Sequence, residues 1–135
     1  MTTVIGRVLD SGALVDFATQ RTRYMEAVVW MHDQHVGSLV VPAPALAAAT
    51  AQLPGRALSV LNVLLGLEVT VIVPLTREKA AALAVTLRAA GVSAAEAVTA
   101  ASVVHEARVR RVPIVTDRPF PIRALHPEAE IDPLP

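Results

Sequence analysis

Residues 3–17 read TVIGRVLDSGALVDF. Thr3 to Leu9 is a short run rich in β-branched residues that stops at Asp10. Ser11 and Gly12 break it, and an apolar-polar stretch runs from Ala13 to Phe17, which predicts strand, turn, helix. The same alternation continues outward. Between Thr22 and His35 the apolar positions Met25, Val28, Val29, Met31 and His32 recur at helical spacing, with Gly37 as a stop. Gly37 to Pro42 is an apolar run between breakers and predicts a buried strand, and Ala43 to Gln52 predicts an Ala-rich helix ended by Pro54-Gly55. A helix over Arg56–Leu65 and a strand over Glu68–Val73 (EVTVIV) follow. Thr76 caps a helix closed by Gly91, although Lys79 stands where a capping-box Glu would be. Ser93 caps a longer helix to about Arg110, with Glu96 completing the S-x-x-E box. Val112 to Thr116 predicts a last core strand, and the Pro-rich tail from Pro119 has room for a helical turn and an edge strand near Ile131. Strands separated by helices, most of them apolar on both faces, give an α/β class with a mainly parallel sheet of four to five strands covered on both sides.

A chain of 135 residues is expected to form one domain spanning 1–135. With 53% hydrophobic and 18% charged residues it has material for a core, and disorder is excluded as its main state. Twelve basic residues balance twelve acidic ones, so the body is not the electropositive one of a general nucleic-acid binder and any basic patch is local. The absence of cysteine excludes disulfides, thiolate zinc sites and a cysteine nucleophile together. Arg7, Asp10 and Asp16 interrupt the N-terminal apolar positions, which is unlike an export signal, and no run approaches the roughly 20 apolar residues of a membrane span. The expected location is cytoplasmic.

In open α/β sheets, ligands bind beyond the carboxyl ends of the strands, near a reversal of strand order. That rule selects Asp10-Ser11 after the first strand and Thr116-Asp117 after the fourth. If those strands are neighbours, Asp10 and Asp117 face one crevice and supply oxygen ligands for a hard divalent ion. As local signals they serve equally as caps of the helices or turns that follow.

Three segments, VLDSGALVDF (8–17), VPAPALAAAT (41–50) and AASVVHEARVRRVPIVTDRPF (100–120) with IRALHP (122–127), resemble the PIN domain family, which includes the VapC toxins of bacterial toxin-antitoxin pairs. The likeness extends along essentially the whole chain. It implies a three-layer α/β/α fold and a ribonuclease in which three or four acids hold Mg2+ or Mn2+, with the metal activating water against a phosphodiester. Asp10 matches the family's first acid, and Ser11 and Thr116 match hydroxyl positions that accompany the site. Ala48 stands where the second acid would be. The third position counts to about Ala100, with Glu96 one helical turn earlier on the same face. Arg118 stands at the fourth, with Asp117 displaced by one. On this carry-over Asp10, Asp117 and Glu96 are the candidate catalytic carboxyls, and Asp10 and Asp117 the candidate metal ligands. Two acids fewer point to an inactive or much weakened nuclease. Glu96 is better accounted for as the capping-box partner of Ser93, a role that follows from local spacing alone.

Arg108, Arg110, Arg111, Arg118 and Arg123 place five of the eleven arginines in sixteen positions. With Ser11 and Thr116, Arg118 and Arg111 are the candidate contacts to an RNA backbone, which arginine's bidentate fork suits. Arg108, Arg110 and Arg111 are equally explained by a helix C-terminus facing water. The few aromatics, Phe17, Tyr24, Trp30 and Phe120, form no stacking platform in sequence, so base stacking is not expected. The four histidines match no zinc signature and are assigned surface or helix-end roles. The stripe Met25, Val28, Val29, Met31 and His32 is assigned to the core, with a groove for a partner helix as the alternative. Two functions follow: a non-catalytic PIN-like module that binds RNA or a protein, or a Mg2+-dependent endoribonuclease. The resemblance further implies an antitoxin-like partner and a homodimer.

Overall fold

A computed structural model of the chain describes residues 5–34, 37–92 and 94–135, with Ile5 and residues 94–96 described as backbone. In chain order the elements are β1 (Ile5–Leu9), α1 (Ser11–Thr19), α2 (Tyr24–Gln34), β2 (Gly37–Pro42), α3 (Ala43–Gln52), α4 (Gly55–Leu65), β3 (Thr70–Val73), α5 (Arg77–Ala90), α6 (Ala94–Arg110), β4 (Ile114–Thr116), α7 (Pro119–Leu125) and β5 (Ile131–Pro133). The five strands form one sheet in the order β3-β2-β1-β4-β5, and every pairing is parallel. The chain starts at the centre, works outward to β3, and returns to lay β4 on the other side of β1. Strand order therefore reverses between β1 and β4, where Val8 pairs with Ile114 and Leu9 with Val115.

Alternation along the strands divides the core into two clusters. Leu9, Leu39, Val41 and Val115 point to one face, against Leu14 of α1, Met25 of α2 and Leu61 and Leu64 of α4. Val8, Val40, Val73 and Ile114 point to the other, against Leu83 of α5, Val103 and Val104 of α6 and Ile122 of α7. The result is the three-layer α/β/α arrangement expected. The short α3 gives Ala49 to the first cluster and Ala45 to the second, so it bridges the layers.

Local chemistry explains the element ends. The Thr76 hydroxyl accepts a hydrogen bond from the Lys79 N–H at 3.2 Å and caps α5, and Gly91 closes that helix with φ 66°. Pro42 ends β2 and caps α3 without a side-chain bond. Two expectations need correction. Ser11 and Gly12 are the first residues of α1 rather than a turn, because Asp10 caps the helix directly from the end of β1. The β3 strand begins only at Thr70, because the Leu67 carbonyl accepts from the Thr70 N–H in a turn and the Thr70 hydroxyl donates to the Leu64 carbonyl at 2.7 Å. The proposed cap Ser93 lies outside the described residues, as does His35.

The apolar stripe of α2 is core: Met25, Val28, Val29 and His32 are buried, while Trp30 points to solvent. His32 departs from the surface role expected of the histidines, with an exposure of 0%. Its Nδ1–H donates to the Val28 carbonyl at 2.8 Å, and its Nε2 accepts from Arg7 Nη1 at 3.2 Å. Arg7 in turn pairs with Asp132 of β5 at 2.5 Å. Burial, with the Arg7 charge beside it, lowers the His32 pKa below its ordinary 6.5. The unfolded chain thus takes up a proton first as pH falls, so His32 contributes stability that is present above pH 6.5 and lost as pH drops through its folded value. Thermal melts of the wild type should decline below that pH, and His32→Leu, which keeps the volume, should flatten the decline.

Candidate functional site

Asp10 sits where β1 ends and α1 begins. Its extended backbone (φ −74°, ψ 168°) turns the carboxyl back onto the helix start, and Oδ1 accepts from the Ser11 N–H at 2.8 Å. Oδ2 accepts from the Thr116 hydroxyl at 2.7 Å, a buried bond between residues 106 positions apart. The same Thr116 oxygen accepts from the Arg118 N–H at 3.0 Å. One hydroxyl therefore fixes the acid after β1 and the backbone after β4 together, with Asp117 held between them.

The Asp10 carboxyl is only 8% exposed, and burial raises its pKa above the ordinary 3.8, opposed by the bonds from Thr116 and Ser11. The Asp117 charge raises it further, while Arg118 draws it down. Asp117 and Arg118 are exposed. Asp117 rests on the first turn of α1 at Gly12: a Cβ there would lie 1.9 Å from Asp117 Oδ1. Glycine at this position is thus a matter of space, since only a residue without a side chain lets the second carboxyl lie against the helix start.

Beside this turn opens a cavity of about 350 Å3 lined by Ser11, Gly12, Asp16, Arg21, Gln52, Asp117 and Arg118, with Leu134 and Pro135 on its rim. Ser11, Asp117 and Arg118 thus line one crevice at the point where the strand order reverses, and Asp10 and Thr116, bonded to each other, are buried at the strand ends just before them. Arg111 is not brought there. It follows α6 at the amino end of β4 and lines a separate cleft with Arg108, His126 and Glu128. The helix it follows runs antiparallel to the strands, so its last turn lies at the far end of the sheet. Arg110 is held by Glu106, a buried acid bridged also by Lys79 at 3.0 Å. Glu96 lies in the first turn of α6, and its side chain is outside the described residues.

Three crevice residues were not singled out in the sequence. Asp16 is buried at 4% exposure and accepts from the Thr22 hydroxyl at 2.8 Å. Its only sequence signal is an acid inside an apolar helix, six positions from Asp10. Arg21 lies just past the left-handed C-cap Gln20. Gln52 is one turn beyond Ala48, where its amide donates to the Ala48 carbonyl at 3.0 Å. So α3 does reach the crevice, but with a neutral amide.

Among the described residues, no three of His, Asp and Glu converge in a way that could hold a metal ion. The Asp117 charge bears on Asp10, and each Asp10 oxygen accepts one internal hydrogen bond. On these donors the crevice does not fit a divalent ion held by the protein alone.

Comparison with known proteins gives a likeness of fold. No protein-family model matches the chain, and no curated protein matches it in sequence. A chain in the crystal structure of VapBC2 from Rickettsia felis, bound to a DNA fragment from their promoter, superposes with a TM-score of 0.65. The match covers 96% of this chain and 98% of that one at 11% identity. The fold is accordingly PIN-like, with its five-stranded parallel sheet between helical layers.

Two outcomes follow from the site. Because the Asp10 pKa is raised, its contribution to stability is full below pH 3.8 and lost as pH rises through the folded value. Asp10→Asn should therefore raise the melting temperature at neutral pH, and a drop there would show that the Thr116 bond needs the carboxylate. Gly12→Ala should displace the flexible Asp117 carboxyl at little cost, since Ala favours a helix by about 1 kcal/mol over Gly. With that charge moved away, carboxyl NMR should find Asp10 titrating at lower pH, and Asp117→Asn should produce the same shift.

Proposed function

We propose that this chain is a PIN-like protein related to the VapC-type toxins that binds the phosphate backbone of RNA at the crevice between β1 and β4, with hydrolysis weak or absent. One observation carries this reading: Arg21 and Arg118, both exposed, line the same crevice, and neither takes part in an ion pair among the described residues. Guanidinium forks left without a carboxylate partner suit phosphate oxygens. They contact the backbone without reading sequence, which agrees with a site that offers few base-reading groups.

A second reading, an active Mg2+- or Mn2+-dependent endoribonuclease, is favoured by the approach of Asp10 and Asp117 at the start of α1. Glu96 would be the third acid. A site of one or two carboxyls binds Mg2+ chiefly through water and substrate phosphates, so its affinity would be low. An antitoxin-like protein partner and a homodimer are further parts of this proposal. The exposed Trp30 of α2 and the edge strand β3, with Val71 and Ile72 turned to solvent, are the surfaces suited to them. No described helix is long and apolar enough to cross a membrane.

Binding of a single-stranded RNA, followed by fluorescence anisotropy across a salt series, tests the first reading. Arg118→Ala and Arg21→Ala should each weaken binding at every sequence and flatten the log–log salt slope by roughly 0.7. Unchanged slopes would place the phosphate elsewhere. Titration with Mn2+ addresses the second: broadening of amide signals centred on Asp10, Thr116 and Asp117, and abolished by Asp10→Asn, would make the site an ion site and call for cleavage assays.

A further inference from the structure

We infer that Phe120 is a base-stacking platform that receives an unpaired base next to the phosphate held by Arg118, so the crevice and its apolar shelf together bind single-stranded RNA. This rests on the RNA reading above and names the form of RNA it takes. Phe120 is 82% exposed, the highest value among the exposed large hydrophobic side chains. A lone exposed apolar residue is ordinary by itself. What distinguishes Phe120 is its setting.

It lies in the first turn of α7 between Pro119 and Pro121, whose rings fix φ and hold the backbone stiff. Ile122 and Leu125 of the same helix are buried in the core and anchor that turn. The ring is thus presented from a rigid base, at small conformational cost. Beside it is a cleft of about 230 Å3 lined by Arg118, Pro121, Ala124 and Leu125. Arg118 is a wall of both this cleft and the acid-lined crevice. One guanidinium therefore separates a polar site from an apolar shelf, as a phosphate separates from its base along a nucleotide. The exposed Arg123 adds a second cation on α7. An apolar surface edged by arginine suits an anionic ligand with a π-face better than an apolar peptide.

The test is binding of a labelled unpaired oligoribonucleotide, and of a blunt duplex of the same sequence, in the presence of EDTA. The proteins are wild type and Phe120→Ala, Phe120→Leu, Phe120→Trp and Arg118→Ala, each checked by thermal melt. Phe120→Ala should lose roughly tenfold in affinity for the single strand, Phe120→Leu should not recover it, and Phe120→Trp should. Duplex binding should be indifferent to residue 120, while Arg118→Ala weakens both. If the wild type binds no RNA, the RNA reading falls and this one with it. Should the wild type bind and Arg118→Ala weaken it while Phe120→Ala leaves it unchanged, only the platform is overturned. Full recovery by Phe120→Leu, or a change in self-association in place of RNA affinity, would make the shelf a simple apolar contact and overturn it as well.

Discussion

The hydrogen bond from the Thr116 hydroxyl to the buried Asp10 carboxyl is the joint on which the crevice depends. It connects two residues at opposite ends of the sequence, and it does so at the reversal of strand order, where the sheet leaves a gap between the helices that follow β1 and β4. A buried carboxyl is costly unless its oxygens are satisfied, and here each oxygen has a donor, one from a backbone amide and one from a side chain. The Thr116 hydroxyl oxygen in turn accepts from the Arg118 N–H and fixes that backbone. Asp117 and Arg118 are held in place by this arrangement without being buried themselves.

Around that joint, charge is arranged in opposite senses over a short distance. Asp10 and Asp117 meet the start of α1, whose exposed amides favour negative charge. Their mutual repulsion is part of what raises the Asp10 pKa, and Arg118 offsets some of it. A like charge close by disfavours the ionised form of a carboxyl unless positive charge offsets it. In this chain the helix start, the internal donors and the neighbouring guanidinium stand in part where a cation's charge would act, so the pair is compatible with binding phosphate through arginine. A second, partly buried centre lies on the same sheet face as β1's Leu9, two residues earlier in the strand, where Arg7, Asp132 and neutral His32 tie β1, β5 and α2 together. The two centres fix the central strand at its middle and just past its carboxyl end.

Much of this was legible in the sequence. The α/β class, the parallel sheet, the order of the elements and the position of Asp10-Ser11 and Thr116-Asp117 just past two strand ends follow from hydrophobic periodicity, breaker residues and the rule for strand ends, all of which are local or nearly so. The cap of α5 by Thr76 and its closure by Gly91 are local in the same sense. What the sequence left hidden depends on the long-range fold. Arg111 is close to Thr116 in sequence, yet a strand only three residues long places it at the opposite end of the sheet from the crevice. Asp16 reads as an ordinary charge in an amphipathic helix, and Gln52 carries no chemical signature, although both line the cavity.

Local spacing of residue types, over a few positions at a time, dictates which segments become strands and helices, which face of each is apolar, and that an acid follows the first and fourth strands. The tertiary structure alone decided that β1 and β4 are neighbours, that the Asp117 carboxyl rests on Gly12, that His32 is buried while Phe120 stands in solvent, and that Arg21 and Arg118 share a crevice. Those facts are set by contacts between residues far apart in the chain, whose geometry exists only once both layers of helices have closed on the sheet.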